Sequence, residues 1–239
     1  MKNFMSLQFP PPAEHAADDR SLVIRDSLRD AIVDHRLAPG TKLSEAEVGK
    51  LFDVSRTIVR AALQALAFEG LVRTERNRGA FVANPSPEEA RQIFHSRRLI
   101  EPGIARAAAE RFTPEHGEVF SARLAEEDKL LQERGPHARR QEIHASGDFH
   151  LLLANIAGNS ILQRFMEELI ARSSLVIALY GRSGASSCGH GDHARILAAL
   201  LDNDGEAASA LLIEHIDHIE ADLNLRASAG LSLKDALAV

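Results

Sequence analysis

The sequence predicts a mainly α-helical protein in two parts: a winged helix-turn-helix over residues 20–83, then an all-helical bundle over residues 88–227. Three observations predict it. Caps, turn and glycine follow in order between Arg36 and Val82; the character changes past Asn84-Pro85-Ser86-Pro87; and almost no β-branched alternation follows that linker at 84–87.

The first part is built element by element. After the turn Ala38-Pro39-Gly40, Ser44 can cap a short helix, with Glu47 three positions on completing a capping box. That helix should end near Phe52, with Asp53-Val54 turning into a second N-cap, Ser55. The helix 56–69 carries Val59, Ala62, Leu63 and Leu66 on one apolar face, and Gly70 closes it. Two short helices joined by a tight turn, the second opening Ser55-Arg56-Thr57 with Arg60 one turn on, fit a motif that places its second helix in the DNA major groove. Leu71–Thr74 and Ala80–Val82 then alternate like paired strands around Arg76-Asn77-Arg78-Gly79, a wing with a cationic tip. The alternative for this stretch is a small helical domain with merely solvated arginines. Residues 20–83 hold 11 Arg/Lys against 8 Asp/Glu, while the whole chain carries −6 and the remainder therefore about −9. A modest basic island on an acidic chain fits one DNA-binding module and argues against a basic tail.

PGTKLSEAEVGKLFDVSRTIVRAALQALAFEGLV followed by NRGAFV resembles the winged helix of the GntR family of bacterial transcription regulators. The resemblance implies that Arg56, Thr57 and Arg60, with Arg78 and Gly79 of the wing, contact DNA beside the cap serines Ser44 and Ser55. An Arg common in the family is replaced by Ala46, and a Pro and a Glu near the recognition-helix start by Ile58 and Ala61.

Composition bounds the rest. At 239 residues with 45% hydrophobic content, the chain is long enough for two domains. No apolar run reaches membrane-spanning length and residues 1–20 do not read as a signal peptide, so no membrane partner and a cytoplasmic location are expected. The lone cysteine, Cys188, fits a reducing compartment. Residues 1–19, with Pro10-Pro11-Pro12, read as a mobile arm, and 228–239 as a tail.

Helices are expected over 88–112, 114–134, 139–157, 160–182, 192–201 and 205–225, broken at Thr113-Pro114, Gly135-Pro136, Gly158-Asn159, 183–191 and 202–204. His150, His193 and His215 each continue an apolar stripe towards the core of this bundle. A lone inward histidine is usually a hydrogen-bonded core residue, but three on separate helices suit a site for Zn, Ni, Co or Mn. His218 reads as solvated, His190 lies in a glycine-rich loop, and Asp148, two residues from His150, should face away.

FHLLLANIAGNSIL and DHARILAALLDNDGEAASALLIEHI are similar to the FCD effector-binding domain of the FadR branch of that family. Many members bind a divalent metal with an Asp and three His, which implies His150, His193 and His215 here, with Ser146 at the Asp position. Without that anion, metal binding is expected to be weaker than usual for the family. Arg97 falls on an Arg of the family's pattern that often enters the ligand cavity. A guanidinium in a mostly apolar pocket suits a small organic acid, with Arg172 a second candidate and a structural pair with Glu101 the alternative for Arg97. The expectation is a homodimeric, metabolite-responsive regulator, more readily a repressor, on a palindromic double-stranded operator, the linker at 84–87 passing the effector's bias to the spacing of the recognition helices. The alternatives are a metal-dependent enzyme using the three histidines and a dedicated metal sensor. No carboxylate placed as general base and no His-Glu-x-x-His supports the enzyme.

Overall fold

Ile24, Leu28 and Ile32 recur every fourth position, which is the stripe of a helix with one buried face. The computed structural model, which describes residues 14–133, 135–181 and 190–225, has this helix as α1 (Glu14–Val33), and all three residues are buried. The expected arm at 1–19 is thus helix from Glu14 onward. Residues 1–13, Cys188 and the expected tail at 228–239 lie outside the described residues.

After α1 come β1 (Lys42–Leu43), α2 (Glu45–Phe52), α3 (Arg56–Phe68), β2 (Val72–Glu75) and β3 (Gly79–Val82). The strands form an antiparallel sheet in the order β1-β3-β2, with Lys42 opposite Phe81 and Val72 opposite Val82. The turn between α2 and α3 folds back because Asp53 adopts a left-handed conformation (φ 51°), letting the Val54 N–H donate to the Gly49 carbonyl at 2.9 Å. A Cβ on Gly49 would sit 3.0 Å from the Val54 carbonyl oxygen, so a larger residue there would have to push the turn outward by a few tenths of an ångström. Gly70, at φ 76°, ends α3 with two reversed bonds: Leu71 N–H to the Leu66 carbonyl (3.0 Å) and Gly70 N–H to the Ala67 carbonyl (3.1 Å). This is the Schellman arrangement, which satisfies two otherwise orphaned carbonyls.

The second part consists of α4 (Pro87–Ala109), α5 (Pro114–Gln132), α6 (Pro136–Ile156), α7 (Ser160–Tyr180), α8 (His190–Leu201) and α9 (Gly205–Ala221). The Ser86 hydroxyl accepts from the Glu89 N–H to start α4, and Thr113 with His116 forms a reciprocal box at the start of α5. Several helix ends fall apart from expectation, α5 stopping at Gln132 and α8 starting at His190 among them, and four have a local reason. α4 stops at Ala109 because the N–H groups of Arg111 and Phe112 tighten onto carbonyls three residues back. α6 starts early, at Pro136, directly after Gly135 at φ 110°. α7 and α9 stop short together, because Gly181 pairs with Leu223 in an antiparallel bridge and the Asn224 N–H donates to the Tyr180 carbonyl at 2.8 Å.

The two parts share a wall. Ala171 and Leu175 of α7 are buried in the core of the winged helix, in one cluster with Leu66, Leu71 and Val82. Other residues of the same helix, Met166 and Ile170, belong to the core of the bundle. The linker at 84–87 is not a free hinge: Pro85 is buried and its carbonyl accepts from the Tyr180 hydroxyl at 2.8 Å. α7 therefore joins the parts more firmly than the linker does.

Candidate functional site

The exposed end of α3 carries Ser55, Arg56, Thr57 and Arg60 to solvent, and the wing tip carries Arg78 and Gly79. The Ser44 hydroxyl caps α2 by accepting from the Glu47 N–H at 3.4 Å, the forward half of the expected box. Ser55 has N-cap backbone geometry but its hydroxyl makes no capping bond, so it differs from the expected cap and leaves the hydroxyl at the surface. Arg60 is held by Glu45 of α2 through two bonds of 2.8 Å, and this hydrogen-bonded pair keeps the Glu45 carboxyl below its usual range. In the wing, Asn77 (φ 63°) and Gly79 (φ 100°) make the turn, Glu75 pairs with Arg73 and Arg78, and the Arg78 guanidinium lies over the Phe81 ring. Arg20, which sequence reasoning passed over, braces the turn from α1 by donating to the carbonyls of Phe52 (3.2 Å) and Asp53 (2.9 Å).

Inside the bundle the three predicted histidines converge. His193 Nε2 lies 3.1 Å from His215 Nε2, which lies 3.3 Å from His150 Nε2, and all three side chains are buried. They arrive from α6, α8 and α9, one helix each. Behind each ring stands a carboxylate that the sequence did not disclose in this role. Glu101 on α4 is 2.6 Å from His150 Nδ1, Glu127 on α5 is 2.9 Å from His193 Nδ1, and Asp192 on α8 is 3.5 Å from His215 Nδ1. The last is an electrostatic contact longer than a hydrogen bond; the same Asp192 oxygen takes a 2.8 Å bond from the exposed His218. Asp192 is adjacent to His193 and Glu101 lies one turn from Arg97, so these two had a sequence signal. Glu127 had none, because its place is fixed only by how α5 packs against α8.

A carboxylate that accepts a hydrogen bond from Nδ1–H keeps the proton on that nitrogen and leaves Nε2 as an acceptor, as at His150 and His193. Here His150 and His193 turn Nε2 acceptors toward His215 Nε2, whose own Nδ1 makes no hydrogen bond, and Arg97 Nη2 also reaches the His150 acceptor. Burial keeps two of the rings uncharged near neutral pH: it pushes His150 down to about 4 despite Glu101, and His215 down to about 3 despite Asp192. A cation among the three Nε2 atoms would answer all of them, so the donor set fits a divalent transition ion. The outer carboxylates bring negative charge to a site where Ser146, buried one turn before His150, has none.

Arg97 joins this cluster and also makes the pair with Glu101 that was the alternative to an effector role. Its Nε is 2.5 Å from Glu101, Nη1 3.3 Å from the Ser173 hydroxyl and Nη2 3.2 Å from His150 Nε2, all buried. Burial alone would raise Glu101, but the Arg97 guanidinium, aided by His150, holds its carboxyl well below the usual range. Asp148 faces elsewhere, paired with Arg123 and His144. Arg172 is not brought to the histidines. It bonds Glu89 (2.8 Å) and Glu168 (3.2 Å), and a Cβ on Gly70 would stand 2.9 Å from its Nε, so it packs against the end of α3. The side chain of His190 lies outside the described residues.

A winged helix followed by a helical bundle that buries a cluster of three histidines is the architecture of a transcription regulator. Residues 20–82 match the model of the bacterial regulatory proteins of the gntR family, and residues 92–218 match the FCD domain. The chain belongs to the GntR family and carries the C-terminal FCD domain. It is 32% identical over 196 residues to the HTH-type transcriptional repressor RspR of Escherichia coli K12, covering 80% of this chain and 83% of that protein. It is 29% identical over 224 residues to the Uxu operon transcriptional regulator of the same organism, covering 82% and 83% of the two chains. Among solved structures it resembles a GntR transcriptional regulator from Rhodococcus sp. RHA1, with TM-score 0.70, 30% identity, and 85% and 96% of the chains covered. E. coli McbR/YncC shares the fold at TM-score 0.73 and 19% identity, over 84% and 95%. The matched families, RspR and the Uxu operon regulator are transcription regulators and not enzymes, which sets aside the enzyme alternative. No helix among the described residues is long and apolar enough to cross a membrane.

Proposed function

We propose that this protein is a metabolite-responsive repressor acting in the bacterial cytoplasm, a homodimer on a palindromic operator. Its signal is a small organic acid bound beside a divalent ion at His150, His193 and His215. Three buried Nε2 atoms within 3.3 Å of their neighbours, with the Arg97 guanidinium among them, carry this reading. A resident divalent ion would supply a Lewis-acidic centre for an anionic ligand. Arg97 Nη2 lies on the His150 Nε2 lone pair that an ion held there would need, so with the site filled that N–H would be free to donate to a carboxylate.

Arg56, Thr57 and Arg60 suit the major groove; Arg78, Gly79 and the unbonded Ser55 hydroxyl suit phosphate or the minor groove. The route between the sites is α7 and not the linker. Ser173 touches Arg97 on the ligand side, and the preceding residue, Arg172, packs against Gly70 at the end of the recognition helix. An effector that changes the Arg97–Ser173 contact shifts a helix already built into the DNA-binding core.

The test is binding of the full chain to fragments from upstream of its own gene and of the divergent neighbour, with a panel of small carboxylic acids and with Zn, Ni, Co or Mn or a chelator. A salt-sensitive, sequence-specific complex dissociated by one acid is the expected result. Operator affinity that follows metal alone, with no acid having any effect, would replace this reading with the dedicated metal sensor.

A further inference from the structure

The contact between Glu45 and Arg60 has a chemistry that an ordinary surface ion pair lacks. Arg60 Nε meets Glu45 Oε1 and Arg60 Nη2 meets Oε2, each at 2.8 Å. Two parallel N–H···O bonds of this kind occupy one edge of the guanidinium plane. Arginine has five N–H groups in a rigid fork, so three remain, two on Nη1 and one on the outer side of Nη2. That second edge is also a bidentate donor, and its spacing matches the N7 and O6 acceptors that guanine presents in the major groove.

The pair bridges the two helices of the motif. Glu45 is the first residue of α2 and Arg60 lies in the second turn of α3. Their mutual position is set by the left-handed Asp53, the Val54–Gly49 bond and the Arg20 brace. The Arg60 side chain remains 59% exposed, so the clasp directs it without burying it.

We infer that Glu45 is a positioning residue for base recognition: it grips Arg60 by the Nε–Nη2 edge and holds the opposite edge ready for a guanine. This rests on Arg60 being a DNA contact. The same carboxylate stands near the phosphates and repels them, so it should weaken binding to DNA of any sequence while sharpening the choice of base. A residue that only stabilised the domain would do neither. Because Arg60 is exposed and Glu45 is only half-buried, the pair contributes little to stability, and Glu45→Gln should melt close to the temperature of the parent.

The experiment is selection of bound duplexes from a random pool by the full chain, by Glu45→Gln, and by Arg60→Lys and Arg60→Ala, with folding checked by thermal melting. The parent should select a guanine at a fixed place in each half-site. Glu45→Gln should retain the rest of the motif, lose about tenfold in preference at that place, and bind random-sequence DNA more tightly than the parent. Arg60→Lys should weaken the preference for the same guanine while keeping general affinity, since an ammonium has no second planar edge for Glu45 to hold. An undiminished guanine preference in Glu45→Gln, with Arg60→Ala having lost it, overturns the role of Glu45 and leaves Arg60 as a reader. A motif unchanged in Arg60→Ala overturns the assignment of Arg60 itself, and the role of Glu45 with it.

Discussion

At the scale of single residues, the histidine cluster shows how a buried site is defined by what stands behind its ligands. Glu127 touches no ligand-facing nitrogen, yet it accepts a hydrogen bond from the Nδ1–H of His193 and so sets which nitrogen faces inward. Glu127→Gln should weaken metal binding by about 10- to 100-fold, measured by competition with a chromogenic chelator. Ser146→Asp should strengthen it on the order of tenfold by adding an anion one turn before His150; unchanged affinity would mean that position 146 does not face the ion. His193→Ala removes a donor outright, and metal content measured by emission spectrometry should fall to background. On the DNA side, Arg56→Ala should abolish operator binding in a gel shift with no loss of stability, because the side chain is exposed.

At the scale of elements, helix boundaries and site placement were legible to different degrees. The turn at Asp53, the stop at Gly70 and the wing followed from local chemistry, and the three histidines from helical periodicity. β1 was not legible, because two residues carry no alternation and their pairing is dictated by β3. The early ends of α7 and α9 were hidden for a similar reason: each is ended by the other across the bridge of Gly181 and Leu223. Arg172 looked like a ligand-binding residue from its neighbourhood in sequence. Its orientation depends on α7 having two packed faces, which no stretch of sequence reveals by itself. Gly70→Ala tests that packing. A side chain there must tolerate φ 76° and displace an arginine tied to Glu89 and Glu168, so the variant should lose about 1–2 kcal/mol by denaturant titration. Its operator binding should also respond less to effector.

At the scale of the whole molecule, His35 sits at the end of α1 with φ 53° and both ring nitrogens buried without a hydrogen-bond partner. Burial, with Arg140 and Arg139 of α6 adding to it and Asp34 opposing, pushes this histidine down to about 4. A histidine lowered in the folded state binds its proton more readily when unfolded. Stability is therefore full above pH 6.5 and declines as pH falls from about 6.5 towards about 4. His150 and His215 decline in the same direction, so the share of His35 is read as a difference. His35→Asn, which accepts a left-handed backbone and does not titrate, should flatten the pH dependence of the melting temperature over that window. An identical slope in parent and variant would remove His35 from the account.

Because α7 lends Ala171 and Leu175 to the winged-helix core, the boundary at residue 84 is a boundary in sequence only. Regulators of this architecture invite recombination: fuse one protein's reader to another's sensor and a new circuit results. Here a graft cut at the linker would leave the transplanted reader with a cavity where two side chains of its former host had been, and the host with an apolar strip facing water. A working hybrid has to carry the facing side of α7 along with the reader, so the transferable module is discontinuous: a block of chain plus one face of a helix nearly a hundred residues away.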